Sequence, residues 1–267
     1  MPMQASTSFL GAFVNPLHVF QTTDLLVNKD RSLEAHKKIT DLVASTLAAL
    51  ELAAPEIAPK WSLLVTGCKF LSEWEKTAKA DMTFRDLTDF FSSSYTKAKA
   101  DAAKSGIDPN TLTFSFLFVT EKVSSVVMST TQVFIFAQKY MPSEALTTVS
   151  AEFVSLVGSV AAATGSDTVV WVCQSVTDVG IGTINKYSVV VFLAIQAKKS
   201  YHEWSHASSA GEGAKAVLNE LKTVETLGKI VTITMVLSGV GTPVIITTTL
   251  VVNIISLTTQ VQKDLAK

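Results

Sequence analysis

The chain has 267 residues, 48% of them hydrophobic and only 17% charged, with a formal net charge of −1 and a mean hydropathy of +0.35. Soluble domains carry roughly 25% charged residues, so solubilising groups are scarce here, and intrinsic disorder, which needs low hydrophobicity and high net charge, is excluded. The basic residues include just two arginines, Arg31 and Arg85, and the lysines form no dense patch, which argues against a nucleic-acid partner read through arginine forks.

So apolar a surface has two uses: it faces lipid, or it faces other copies of the chain. Cys68 and Cys173 sit in apolar helical patterns and read as small buried hydrophobes, which fits an intracellular reducing compartment. The first twenty residues have neither the basic n-region of a secretory signal nor the arginine-rich character of a transit peptide.

In chain order, residues 1–31 read as an N-terminal arm, extended or in short helical turns, lying across a bundle or docking on a neighbouring copy. Residues 32–106 read as three short-looped amphipathic helices. The first begins at Ser32, with Ile39, Val43, Leu47 and Leu50 on one face. Pro55 and Pro59 bracket a connection to the second, about residues 60–82, whose face is Trp61, Leu64, Cys68 and Leu71. Thr83-Phe84-Arg85-Asp86 has the spacing of a capping box, in which the threonine hydroxyl and the acid satisfy each other's exposed amides. It opens a third helix with the stripe Phe84, Leu87, Phe91 and Tyr95, ending near Ser105-Gly106.

Residues 107–267 read as an apolar helical bundle continuous with the preceding part. Asp108-Pro109 is a restart, Asp as N-cap and Pro in the first turn. The helix that follows, to Tyr140, is apolar nearly all round, and such helices are central or face a second hydrophobic surface. Residues 145–176 form a small-residue segment, and Gly180 and Gly182 mark a break. Tyr187 to Ala197 is an apolar run, Ser200 to Gly213 a polar joint. An amphipathic helix follows, with Val217, Leu221 and Val224 inward and Lys215, Glu220, Lys222 and Glu225 outward. Ile230 to Gln262 contains no charge at all. Its β-branched residues permit a buried strand pair, but a run of that length without turn signals favours helix.

Two stretches carry candidate chemistry. His202-Glu203-Trp204-Ser205-His206 resembles, over five residues, the zincin metallopeptidase motif. That resemblance implies zinc held by His202 and His206, Glu203 as general base, and a third ligand for which Glu220, or Glu225, can be offered. Read from its own surroundings, the same segment is a solvated helix end whose imidazoles and Lys198-Lys199 complement the negative end of the helix dipole. The second stretch is the uncharged 230–262. Pro243–Gln262 is long enough to cross a bilayer once. With its break at Gly239-Val240-Gly241-Thr242-Pro243 it resembles, in outline only, the hydrophobic hairpin of pore-forming colicin domains and of chlamydial inclusion-membrane proteins. No dinucleotide fingerprint, phosphate loop or nucleophile elbow is present.

The expectation is therefore an all-α bundle of roughly six to eight helices with very apolar central and C-terminal helices. Its function is expected to be structural and non-enzymatic, without a cofactor: a homo-oligomer or multi-subunit assembly burying Phe114, Phe116, Phe118, Val133, Phe134 and Phe136 together with Val244, Ile245, Leu250, Val251, Ile254 and Leu257. The alternative is a membrane-embedded or membrane-inserting helical protein anchored by 230–262. A third reading is a zinc peptidase through His202, Glu203 and His206.

Overall fold

The computed structural model describes residues 5–14, 32–85, 93–104, 108, 110–140 and 180–265. They form eight α-helices and no strand: α1 (Phe9–Val14), α2 (Ser32–Ala53), α3 (Ala58–Arg85, entered through a 3-10 turn at Pro55–Ile57), α4 (Ser93–Lys104), α5 (Leu112–Tyr140), α6 (Ile181–Ser209), α7 (Gly213–Leu237) and α8 (Thr242–Leu265). The protein is all-α, as its helical periodicity predicts. The expected segment 145–176, Leu87, Phe91 and Cys173 lie outside the described residues.

Six long helices pack in a closed circuit. α2 lies on α3, α3 on α5, α5 on α6, α6 on α7, α7 on α8, and α8 returns to α2. The contact of α8 with α2 joins the first long helix to the last, so α2 and α3 share packing with α5 and α8. α1 touches α7 and α8: Phe9 and Phe13 pack on the buried cluster of Ala12, Val217 and Leu221, with Ile255 beside them. α1 thus lies across the base of the last hairpin; the rest of the expected arm, 1–4 and 15–31, lies outside the described residues. A second cluster joins α3 to α5, where Phe136 is buried against Phe70 and Trp74 at 5.9 Å between ring centroids and against Tyr140 at 4.9 Å.

Several boundaries differ from the sequence reading, each for a local reason. Thr83, Phe84 and Arg85 continue α3 rather than opening a new helix: a capping signal is worth only about 1 kcal/mol, and by itself it does not end a helix already under way. Asp108 accepts the Asn110 amide through Oδ1 at 2.9 Å. Its carboxylate therefore closes a short turn, and α5 begins at Leu112. The polar joint after Lys199 is mostly helix: α6 runs on to Ser209 because its exposed side chains are compatible with a solvated helix face, leaving a three-residue turn before α7.

The turns at the ends of α6 and α7 share one chemistry. Gly211 and Gly239 take positive φ, 73° and 69°. After α6, Gly211 N–H donates to Ser208 O and Glu212 N–H to Ala207 O; after α7, Gly239 N–H donates to Val236 O and Val240 N–H to Met235 O. These paired bonds satisfy carbonyls a helix end leaves open, and the left-handed residue they require is readily supplied by glycine. The result is two tight antiparallel hairpins in succession, α6–α7 and α7–α8.

Gly228 sets the α7–α8 spacing. A Cβ added there would fall 2.6 Å from Val252 Cγ2, and the stiff β-branched valine has little freedom to withdraw. Gly228→Val is expected to lower stability by about 1–3 kcal/mol through overpacking, seen as a lower urea midpoint by circular dichroism. Gly182→Ala on α6, where nothing lies within 4 Å, should cost nothing in the same assay.

Candidate functional site

The α7–α8 hairpin carries the uncharged stretch, and its two arms differ in surroundings along their length. Toward the turn, Val231, Val236, Val240 and Val244 are exposed. Along α8, Val251 (52%) and Ile254 (44%) face outward as well, whereas Val252, Ser256 and the run Thr258–Gln262 are buried. Among the described residues α8 is the one helix long and apolar enough to cross a membrane, and a third of its most apolar stretch is buried within the bundle.

The threonines explain how so polar a composition stays compatible with an apolar setting. Thr232, Thr234, Thr247, Thr249, Thr258 and Thr259 each donate their hydroxyl to the carbonyl four residues earlier, at 2.7–2.9 Å. A hydroxyl bonded back to its own helix asks nothing of its surroundings, so these positions tolerate lipid or a packed protein face.

Among the described residues the interior of the circuit is unusually polar. Among the described residues, buried polar side chains are as numerous as buried apolar ones, while large apolar side chains lie exposed on every long helix. Polar pairs hold the helices together. Asn253 Nδ2 on α8 donates to Asp41 O at 2.9 Å and Ser45 Oγ at 3.1 Å on α2. The Ser72 hydroxyl of α3 donates to Asp41 Oδ1. Lys139 of α5 pairs with Glu73 of α3. Between α5 and α6, Glu121 accepts from Gln196 Nε2 at 2.7 Å and pairs with Lys199, and Asn185 donates to Thr131 Oγ1 at 2.8 Å.

The most buried carboxylate among the described residues is Glu225. On the sequence it belongs to the outward face of α7; in the structure it is buried, because Lys229, one turn on, pairs with it and two other helices contribute partners. Ser256 Oγ of α8 donates to Glu225 Oε1 at 2.8 Å. Lys38 of α2 stands 3.7 Å from Oε2 and donates to Ser256 O at 3.1 Å. One carboxylate thus ties α2, α7 and α8 together. The alternation of Glu225 and Lys229 was visible in the sequence; that Lys38 and Ser256 would meet them was not.

The structure separates the remaining candidate residues. Phe114 and Phe116 fall in α5 with side chains outside the described set. Phe118 and Phe134 are half-buried, Val133 is at the exposed edge, and Phe136 is interior. Val244, Val251 and Ile254 are exposed, whereas Ile245, Leu250 and Leu257 are half-buried. His202 and His206 are exposed in the last turns of α6, Glu203 is half-buried beside them, and Glu220 sits on α7. No three His, Cys, Asp or Glu residues gather to hold a metal ion among the described residues. Cys68 is a buried free thiol.

Glu225 gives the clamp a definite pH dependence. Burial pushes its carboxyl up, but Lys229 and Lys38, with the bonds from Lys229 and Ser256, outweigh this and lower it from 4.5 to about 2. Because the folded value lies below the unfolded one, the clamp contributes fully above about pH 4.5, and its contribution is lost as the pH falls toward about 2. A shift of that size corresponds to on the order of 3 kcal/mol. Urea midpoints are expected to show no Glu225 component between pH 7 and 5 and a fall below that. Glu225→Gln should be less stable at pH 7 and fall less on acidification.

Comparison with protein-family models, with curated proteins and with solved structures returns no match.

Proposed function

We propose that this protein is a non-enzymatic helical protein that docks on a membrane through the uncharged end of its α7–α8 hairpin. The observation that supports the reading most is the outward apolar surface of that hairpin, charge-free from Ile230 to Gln262, with Val231, Val236, Val240, Val244 and Val251 exposed. Packing adds to it from two other helices. Asn253 meets Asp41 and Ser45, and Ser256 meets Lys38, so α2 and α8 are antiparallel. The C-terminal end of α2, with exposed Leu50 and Leu52, accordingly lies by the start of α8. The short turn into α3 brings Trp61, Leu63 and Leu64, also exposed, to the same end.

Each large apolar side chain taken fully out of water contributes ~1.5–3 kcal/mol, so a handful of these residues suffices to hold the protein at a lipid surface. Trp61 suits the boundary, where an amphipathic ring sits at headgroup level. The back-bonded hydroxyls of Thr232, Thr234, Thr247 and Thr249 reduce the polar surface these helices would carry into the boundary.

Full-length protein mixed with phospholipid vesicles is expected to float with them and to resist extraction at alkaline pH. Val244→Asp/Val251→Asp should reduce the floating fraction by at least roughly tenfold, since a carboxylate in an apolar environment is strongly disfavoured, with the helical signal retained. Wild-type protein that stays with the aqueous fraction would end this reading.

Self-association is a second reading, favoured by the outward face of α3, where Leu63 is 85% exposed and Leu64, Leu71 and Trp74 are exposed beside it. Leu64→Ser/Leu71→Ser is expected to lower the mass seen by light scattering in vesicle-free solution. An unchanged mass would remove α3 as a contact. Phe136, interior between α3 and α5, reports on folding and not on association.

A further inference from the structure

Between α2, α3 and α8 an open cleft of about 340 Å3 reaches in toward Asn253. Its floor is polar and internally bonded: Asn253 holds Asp41 O and Ser45 Oγ, and Ser72 holds the Asp41 carboxylate. The rim is different. Lys69, Glu73 and Lys76 line it from one face of α3, at the helical spacing that puts residues four and three apart side by side. Glu73 Oε1 is engaged by Lys139 of α5, while its Oε2 is buried without a hydrogen-bond partner; the Asp41 carboxylate accepts from Ser72. Among the described residues, then, neither rim lysine has a carboxylate partner, and the two ammonium groups flank a polar hollow.

The cleft is also polar at one end and apolar at the other. Ala48 of α2 and Ile246 of α8 line its far side. Beyond them, in the direction set by the antiparallel pairing, come Leu50 and Leu52 on α2 and Val244 on α8, all exposed. A ligand fitting this gradient has an anionic head and an apolar body. The volume lies at the small end of the range for ligand pockets, enough for the head alone, with the body running out along the apolar end. That end is the surface assigned above to lipid, which puts the lysines at the depth where headgroups lie.

We propose that the α2–α3–α8 cleft binds the phosphate ester headgroup of an anionic phospholipid, with Lys69 and Lys76 as the phosphate ligands and the acyl chains leaving past Ile246. The site deepens the membrane-docking reading and rests on it. Lysine serves here as a point charge for phosphate, and the open rim admits the headgroup from the side without separating any helix pair.

The test uses the full chain, wild type and Lys69→Gln/Lys76→Gln, with Lys97→Gln/Lys198→Gln as a control of equal charge. Binding is measured to phosphatidylglycerol vesicles and to phosphatidylcholine vesicles, and, in solution, to glycerol 3-phosphate. The expected result is a loss of about thirtyfold for phosphatidylglycerol in the cleft variant, the size expected for two lysines at an anionic surface. Phosphatidylcholine binding should be unchanged, the control variant should lose severalfold less, and glycerol 3-phosphate should compete with phosphatidylglycerol for wild type only. Equal losses in the two variants would overturn the site, leaving general attraction between a basic surface and an anionic one. So would undiminished phosphatidylglycerol binding by the cleft variant. Wild-type protein that binds glycerol 3-phosphate through the two lysines but no vesicle would overturn the lipid headgroup as ligand and the docking reading with it, the cleft then taking a free phosphate ester. Failure to bind glycerol 3-phosphate or phosphatidylglycerol while phosphatidylcholine vesicles are still bound would sink the cleft and spare the docking.

Discussion

The Glu225 carboxylate is the constraint on which the arrangement of the C-terminal half depends. A charge taken out of water is tolerated only where opposite charge and hydrogen bonds replace the solvent, and no single helix of this protein supplies enough of them. Lys229 comes from the same helix, Ser256 from the next and Lys38 from the first long helix of the chain. Satisfying Glu225 therefore forces α2, α7 and α8 into one place, and with them the closure of the helix circuit. Breaking the set by removing one partner would strand a buried charge, so the closure is enforced by what would be lost without it more than by net gain from the ion pairs.

Hydrophobic burial alone would have built something else. Chain packing in water drives the largest apolar side chains inward, yet Trp61, Leu63, Leu71 and Val251 remain outside while Ser72, Glu121, Asn219 and Gln262 are inside. Helices that associate through hydrogen bonds, small residues and close backbone approach, as at Gly228 against Val252, do not need water to push them together. That is the mode of packing suited to an exterior that is covered, by lipid or by protein. The scarcity of charge in the composition and the polar share of the described interior are consistent with such packing.

Helix positions were largely legible because they follow from local periodicity and from turn chemistry. Val217 and Leu221 were readable as inward positions of α7, and both are buried; the breaks at Gly239 and before α6 followed from glycine. Facing was less legible. Trp61, Leu64 and Leu71 form an apolar stripe that the amphipathic rule turns toward a core, and the structure leaves them exposed. Glu225 read as solvated and is buried. The rule assumes that water is the exterior, and it fails where polar contacts carry the packing. The cleft was not readable at all: Asp41, Lys69, Ser72 and Asn253 have no common spacing, and only the antiparallel pairing of α2 with α8 and of α2 with α3 brings them together.

The length of α8 and its partners bear differently on the proposed docking. Its 24 residues amount to about 36 Å of helix, enough to span. In this structure, however, Ser256 and Asn253 are held by groups that include Lys38, Asp41 and Glu225. Carrying those charges to the bilayer centre costs at least about 2.5–3.5 kcal/mol each on insertion scales, and burying the exposed halves of Val244 and Val251 returns less than that sum. On the docking proposed above, with α2 and α7 in place, α8 would stay at the surface, its uncharged end entering the boundary and its clamped half remaining above it. Crossing would require α8 to leave α2, and the same bonds that close the circuit oppose that. If the protein meets a membrane as proposed, the clamps are what would oppose a spanning arrangement of α8.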